Sequence, residues 1–191
     1  MSLQLQTNLS KVAERIVLHR LSKYLEENNI HDPQQTADRR FHSCESALTY
    51  ITDYALHGAD SGKITVLVFL DLTAAFDCVD HTILLKVLKC IGIIGAALSW
   101  FKFYLTNRLQ ATVIGSITSP YSLVSSGVPQ GSVLGPVLFS LYLIGLQEII
   151  APYDVDYIVY ADDIQLLAST TPASLDQTIL RIESCIDAIR H

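Results

Sequence analysis

Apolar residues fall into alternating helical and strand periods along most of this chain. Leu9, Val12, Ile16, Val17, Leu21 and Leu25 recur at helical spacing and predict an amphipathic helix over about residues 9–27. Asn28-Asn29 and His31-Asp32-Pro33 end it. A second helix is expected after Ser43, a suitable N-cap, burying Ala47, Leu48, Ile51 and Ala55. The turn Asp60-Ser61-Gly62 leads into a strand, Ile64 to Leu70, whose apolar residues sit on both faces. Such a strand is expected to be central and covered on each side. Ile83, Leu84, Val87, Leu88 and Ile91 mark a helix, and Ala97 to Tyr104 another that ends near Asn107. Ala111 to Ile114 and Tyr121 to Val124 read as strands joined by Gly115 to Pro120, and a long helix follows from about Leu134 through Ile150. Val155 to Tyr160 and Gln165 to Ala168 read as a hairpin with Ala161-Asp162-Asp163 at its turn. Ser174 to Ile189 has helical spacing and no evident chemistry. There are no repeats or low-complexity tracts. The order predicts an α+β fold with helices on one face of an antiparallel sheet.

Two of these strands carry carboxylates where they end. Asp71 follows the Ile64 run, and Asp162-Asp163 follows Tyr157-Ile158-Val159-Tyr160-Ala161. Strands lying side by side would bring all three acids to one spot, where they repel unless a divalent cation sits among them. Hard oxygen ligands suit Mg2+ bridged to a phosphate, the arrangement used for in-line phosphoryl or nucleotidyl transfer. A plain alternative stands beside this: a strand-end Asp is commonly a turn residue, and an Asp pair is commonly solvated surface. Between the two strands lies Ser126-Gly127-Val128-Pro129-Gln130-Gly131-Ser132-Val133-Leu134-Gly135-Pro136, a Pro- and Gly-rich run opening an apolar helix.

Together these segments resemble the catalytic motifs of reverse transcriptases. Phe69-Leu70-Asp71-Leu72-Thr73-Ala74-Ala75-Phe76-Asp77 is similar to the first motif, Gly127 to Phe139 to the second, and Tyr160-Ala161-Asp162-Asp163 to the third. Order and spacing look like those of non-LTR (LINE-type) retrotransposon polymerases. A weaker upstream similarity, Gln35 to Leu48, resembles the fingers motif of that group. The resemblance implies a polymerase palm over residues 62–170, preceded by a partial, largely helical fingers region over 1–61. Residues 171–191 would lead towards a thumb.

The resemblance also implies roles. Asp71 and Asp162 would hold two Mg2+ ions, with Mn2+ as a possible substitute. Asp163 would support them, and the Leu72 carbonyl would complete the site of the nucleotide-bound ion. Phe76 stands where the family places a ring that leaves no space for a 2′-hydroxyl; the alternative is a plain core residue. Asp77 is expected to cap the next helix and His81 to be structural. Pro129, Gln130 and Gly131 would line the incoming nucleotide, or simply form the turn before the Leu134 helix. Arg39 would contact the triphosphate, since Arg suits phosphate oxygens; plain surface charge is the competing reading. Here the chain departs from the pattern: Ala37-Asp38-Arg39 replaces the usual Gly-Phe-Arg, which puts a negative charge beside a polyphosphate site. The implied partners are an RNA or DNA template with primer, dNTPs, and further polyprotein domains, a thumb and an endonuclease.

Composition narrows the picture. Half of the 191 residues are apolar and 17% charged, which suits a packed globular chain and excludes a disordered one. No apolar run reaches the ~18 residues of a membrane span. The N-terminus lacks an apolar signal core, so a soluble intracellular protein with no membrane partner is the expectation. Cys44, Cys78, Cys90 and Cys185 include no C-x-x-C pair and are expected to be reduced, mostly buried thiols. The net charge of −6, with only 13 Lys and Arg, runs against a nucleic-acid enzyme. Only Ile164 to His191 follows the acidic pair, where the family continues into a duplex-gripping thumb. A fragment with the catalytic centre, inactive alone, is therefore expected. The alternative is a non-enzymatic retrotransposon remnant. A phosphoacceptor receiver domain would need the acidic pair first, a parallel βα repeat and a later strand-end Lys, which this chain lacks.

Overall fold

The structure is a computed structural model that describes residues 8–30, 32–37, 43–72, 74–106, 108–129 and 131–190, with side chains from residue 10 onward. The chain runs through α1 (Asn8–Glu27), α2 (Cys44–Asp60), β1 (Ile64–Asp71), α3 (His81–Cys90) and α4 (Gly95–Leu105). Four short strands follow: β2 (Arg108–Gln110), β3 (Val113–Ile114), β4 (Ile117–Thr118) and β5 (Ser122–Val124). Then come α5 (Gly135–Tyr142), α6 (Leu146–Ile150), β6 (Asp156–Tyr160), β7 (Asp163–Thr170) and α7 (Leu175–Arg190). They form two compact units interleaved along the sequence, one from residues 1–31 and 74–142, the other from 32–73 and 143–191.

The second unit holds the main sheet, antiparallel throughout, in the order β1-β7-β6. Side-chain alternation sends Val66, Val68, Ile164, Leu166 and Ala168 to one face, where they join Leu146, Ile150, Ile182 and Cys185 from α6 and α7. Leu67, Ile158 and Leu167 take the other face and meet Ala47, Tyr50, Ile51 and Tyr54 of α2. The fold is α+β as expected, but helices cover both faces of the sheet rather than one. The central strand is β7, not β1; β1 is a half-buried edge with no other strand partner among the described residues. The edge of β6 is closed by residues 34–36: Thr36 N–H donates to the Val159 carbonyl at 2.9 Å, and Val159 N–H to the Gln34 carbonyl at 2.9 Å. Below it, Tyr157 donates to buried Asp32 Oδ2 at 2.8 Å. Burial first, then that carboxylate, pushes the Tyr157 hydroxyl far up from its ordinary range.

Capping follows the sequence in α2. Ser43 and Ser46 satisfy each other's backbone N–H groups in a capping box. Near the other end of α2, Gly58 comes so close to β1 and β7 that a Cβ would lie 2.9 Å from Thr65 Oγ1. Leu48, expected in the core, is instead 57% exposed, because Tyr50 and Tyr54 fill the contact with the sheet. In the first unit α3 packs between α4 and α5, burying Leu84, Leu88, Leu105 and Leu138. Its N-cap is Asp80, whose carboxylate accepts from Thr82 N–H at 2.6 Å and Ile83 N–H at 2.9 Å. Those amides hold its pKa below the ordinary carboxylate range. Asp77, the expected cap, lies in a preceding 3-10 turn.

Four further expectations change. The strands after α4 pair as β2 with β5, and β3 with β4 across a tight turn at Gly115 (φ 61°). The long helix is broken, with a 3-10 turn at Leu143–Gly145 between α5 and α6. By length and hydropathy, Gly135–Tyr153 could cross a membrane at 19 residues and mean hydropathy 1.4, which counting unbroken apolar runs overlooks. Its apolar residues Leu138, Phe139 and Leu141, and separately Leu146 and Ile150, are instead buried within their own units. Of the four free thiols only Cys185 is buried.

Position in the sheet sets the expected cost of mutation. Leu167→Ala empties a fully buried site on the central strand and should destabilise by about 2–5 kcal/mol. Phe69→Ser, on the edge strand at 67% exposure, should stay within about 0.5 kcal/mol. Urea melts of both variants check this; equal losses would mean that β1 is covered in solution.

Candidate active site

Antiparallel pairing of β1 with β7 runs in register from Ile64↔Thr170 to Asp71↔Asp163. The last residue of β1 and the first of β7 are thus direct cross-strand partners, and directly opposed side chains share a face. The hairpin from β6 into β7 closes in two residues, Ala161-Asp162. Ala161 takes a left-handed φ of 55°, as the mirror-image turns favoured in tight hairpins require. Asp163 is therefore a strand residue, and Asp162 alone of the pair occupies the loop.

The carboxylate end of this sheet face is open. α2 covers Leu67 and Leu167 further along, while Phe69, on the same face as Asp71, remains 67% exposed. Asp71 and Asp163 are exposed and Asp162 half-buried. Like charges directly opposite one another destabilise a ladder, so this end of the sheet favours a cation. The oxygens here are hard donors: the two opposed carboxylates, Asp162 beside them, and the Leu72 carbonyl one residue past Asp71. Gln165, two residues along β7 on the same face, adds a buried amide oxygen without a hydrogen-bond partner. Such a donor set fits Mg2+ or Mn2+. Among the described residues no three His, Cys, Asp or Glu side chains converge tightly enough to form a metal cage. Thus register joins Asp71 to Asp163, and chain adjacency brings in Asp162.

The first unit carries the other expected residues. Phe76 is half-buried and its ring stacks on Phe139, with centroids 4.7 Å apart and planes at 28°. Residues 126–128 lie along 76–80: Gly127 N–H donates to the Val79 carbonyl at 2.8 Å, and Val128 N–H to the Phe76 carbonyl at 2.8 Å. This approach requires glycine at 127, with φ 85°; a Cβ there would meet Asp77 Cα at 2.9 Å. Buried His81 donates from Nε2 to the Gly127 carbonyl at 2.8 Å, which is the structural role expected of it. The half-buried Arg108 reaches the same carbonyl at 3.4 Å. Pro129 is buried and Gly131, at φ 73°, exposed. Gln130, Arg39 and Asp38 lie outside the described residues.

One residue that sequence reasoning missed holds this loop. Glu14 sits on the inner face of α1 at 1% exposure. Its Oε2 accepts from Val133 N–H at 2.7 Å and Leu134 N–H at 3.4 Å, and Ser10 Oγ donates to Oε1 at 3.2 Å. Ser132 Oγ takes the next amide, that of Gly135, at 2.9 Å. A carboxylate at the start of α5 meets its unpaired N–H groups and its dipole. The available signal was an acid amid the apolar stripe of α1, between Val12 and Val17.

The family model described as reverse transcriptase (RNA-dependent DNA polymerase) matches residues 1–190. A probable RNA-directed DNA polymerase from transposon BS of Drosophila melanogaster is 31% identical over 88% of this chain and 19% of its own length. That from the X-element of the same fly is 34% identical over 73% of this chain and 15% of its own length. The fold is similar to that of a telomerase of Candida albicans, with a TM-score of 0.56 at 16% identity, over 92% of this chain and 32% of that one. The chain spans under a fifth of the length of these two transposon relatives.

Two measurements test the pieces separately. Glu14→Ala leaves two amides unpaired and should cost about 2–3 kcal/mol, with Glu14→Gln recovering part of it; hydrogen exchange at Val133 and Leu134 should quicken in the alanine variant. Millimolar Mg2+ should raise the melting temperature of the chain by mass action. Asp71→Asn with Asp162→Asn should abolish that response and melt slightly higher without metal. Equal shifts in parent and variant would place the ion elsewhere.

Proposed function

The chain belongs to the reverse transcriptase (RNA-dependent DNA polymerase) family, of the non-LTR retrotransposon kind, and from that premise we propose that it supplies the nucleotidyl-transfer centre of such an enzyme. The reaction joins a dNTP to a primer 3′-hydroxyl opposite an RNA or DNA template. The observation that carries this is the register placing Asp71 opposite Asp163, with Asp162 at the adjoining turn. Asp71 and Asp162 would hold two divalent ions, Asp163 supporting them and the Leu72 carbonyl joining at the nucleotide-bound ion. When bound, these ions activate the hydroxyl and neutralise the triphosphate and its leaving group.

The remaining residues orient and select. Phe76 excludes a 2′-hydroxyl by its bulk, and the stack on Phe139 keeps the ring from swinging aside. Pro129, Gln130 and Gly131 line the nucleotide, in a loop steadied by Glu14, His81 and the backbone of residues 76–79. Arg39 contacts the triphosphate. In this reading residues 1–61 are fingers, 62–170 palm, and 171–191 lead towards a thumb. Template, primer and the remaining domains of a longer polyprotein are the partners.

Primer extension tests the proposal. Misplacement of a reacting end by ~1 Å can cost ~100-fold in rate, so the 191-residue chain should extend a primer negligibly by itself. Joined to a thumb from a related polymerase, it should gain synthesis that disappears with Asp162→Asn. Phe76→Val in that chimera should admit ribonucleotides while reducing deoxynucleotide use much less. Failure of the chimera even after Asp38 is changed to the family's aromatic would instead favour a non-enzymatic remnant.

A further inference from the structure

A groove of about 530 Å3 in the first unit runs between α1 and the α3–α4 corner. Val17, Leu21 and Tyr24 form one wall, and Ile94, Trp100 and Phe101 stand on the other. Arg20 is the one charged side chain among the described residues that line it. Residues 17, 20, 21 and 24 recur at helical steps, so Arg20 shares the groove face of α1. It has no ion-pair partner among the described residues. The positions three and four residues away hold Ile16, Val17, Lys23 and Tyr24, none of them acidic. Of the nearest acids in sequence, Glu14 and Glu26, the first is turned inward to the Val133 amide. The opposite wall supplies no acid either. From His81 to Gln147 the chain has no Asp or Glu, and the charged residues of α3 and α4 are Lys86, Lys89 and Lys102.

The walls are held in place by contacts of their own. Tyr24 donates to the Ile91 carbonyl at 2.8 Å and lies directly against Gly92, where any side chain would collide with its hydroxyl. Trp100 is held parallel to Tyr104, with centroids 5.3 Å apart and planes at 10°, and edge-on to Phe101. A surface ordered in this way loses little freedom when a partner arrives. Ile94 is 66% exposed, and Phe103, one turn of α4 beyond Trp100, is 77% exposed. Trp, Tyr and Arg are the residue types that dominate binding hot spots, and one of each converges on this concave surface. From Val17 to Tyr24 the α1 wall is ~10 Å long, or two turns of a helix.

We propose that this groove docks an amphipathic α-helix of a protein partner, one whose apolar stripe is flanked by a carboxylate. Apolar anchors at i, i+3 or i+4, and i+7 cover two turns and fill the space between α1 and Trp100. An Asp or Glu beside the middle anchor meets the Arg20 guanidinium, whose planar fork pairs a carboxylate through two hydrogen bonds. Charge complementarity selects this occupant. Arg20 inside the groove and the lysines of α3 and α4 favour an acidic helix and repel a basic one. A polynucleotide would need a track of cations along its phosphates, and the groove is lined by Arg20 alone among them. Nothing in this docking draws on the carboxylates at the ends of β1 and β7.

Trp100 is the single tryptophan, so its emission reports on the groove directly. The probe is a synthetic helical peptide of about 15 residues, with Leu at i, i+4 and i+7, Glu along both flanks and no aromatic residue. A matched control carries Lys in place of each Glu. Titration with the Glu peptide should move Trp100 emission saturably to shorter wavelength, and the Lys peptide should bind roughly tenfold more weakly or worse. Arg20→Glu changes an exposed side chain, so it should keep its melting temperature while reversing the preference in favour of the Lys peptide. Ile94→Ser should weaken the Glu peptide several-fold, and Asp71→Asn with Asp162→Asn should leave its binding unchanged. No shift with the Glu peptide, equal affinity for the two peptides, or a folded Arg20→Glu variant that keeps the original preference would overturn the proposal. So would displacement of the peptide by oligo(dT), which gives the groove to nucleic acid. Emission that follows chain concentration without peptide would give it to a second copy and overturn the proposal equally.

Discussion

The register between β1 and β7 is the constraint on which the candidate centre depends. Side chains alternate along a strand, so a slip of one residue would turn Asp71 to the opposite face from Asp163. The same slip would expose the apolar rows that α2, α6 and α7 cover. Burial of Leu166 and Leu167, both fully enclosed on opposite faces of β7, therefore fixes the pairing. The acidic end follows from it. A pair of carboxylates facing one another is locally unfavourable, and the hydrophobic sandwich further along the strands supplies the free energy that holds them there.

A second constraint organises the loop that opens α5. Two elements distant in sequence hold it through backbone groups. The 3-10 turn and strand-like stretch at residues 76–80 bond to Gly127 and Val128, and Glu14 of α1 bonds to Val133 and Leu134. His81 adds a further hydrogen bond at the Gly127 carbonyl. Backbone amides and carbonyls removed from water need partners, so a glycine-rich loop fixed this way resists alternatives that would leave them unpaired. That is the rigidity the proposed nucleotide-lining role asks of this loop, and the Phe76–Phe139 stack lies on the same turn.

Charge, which first argued against a nucleic-acid enzyme, acquires a different meaning once its distribution is known. The net value of −6 is an average over the chain, and α1 alone carries four exposed Lys and Arg, at 11, 15, 20 and 23. Long-range attraction depends on local potential more than on the total, and screening confines it to ~10 Å at ordinary salt. Net charge therefore says little about whether a given surface meets phosphate.

Much of the architecture was legible in the sequence. Helical periods located α1, α2, α3, α4 and α7 to within a few residues, because each buries one stripe against its neighbours. Ser43 announced its helix, since a hydroxyl at an N-cap bonds locally. The motif order pointed to the family, and the hairpin was evident from its two β-prone runs, although its turn was expected at Ala161-Asp162-Asp163 and Asp163 belongs to the second strand. Tertiary structure decided the rest. An apolar strand such as Ile64 to Leu70 looks alike at the centre or the edge of a sheet, and only the pairing makes β1 an edge. Helices on both faces follow from which residues alternate outward in three strands at once. Leu48 is exposed because two tyrosines reached the sheet first. Glu14 has no legible role in the sequence, because the two amides it accepts from lie at the start of α5. Periodicity records which face of an element is apolar; what that face meets, and which polar atoms need partners there, depends on residues far away in the chain.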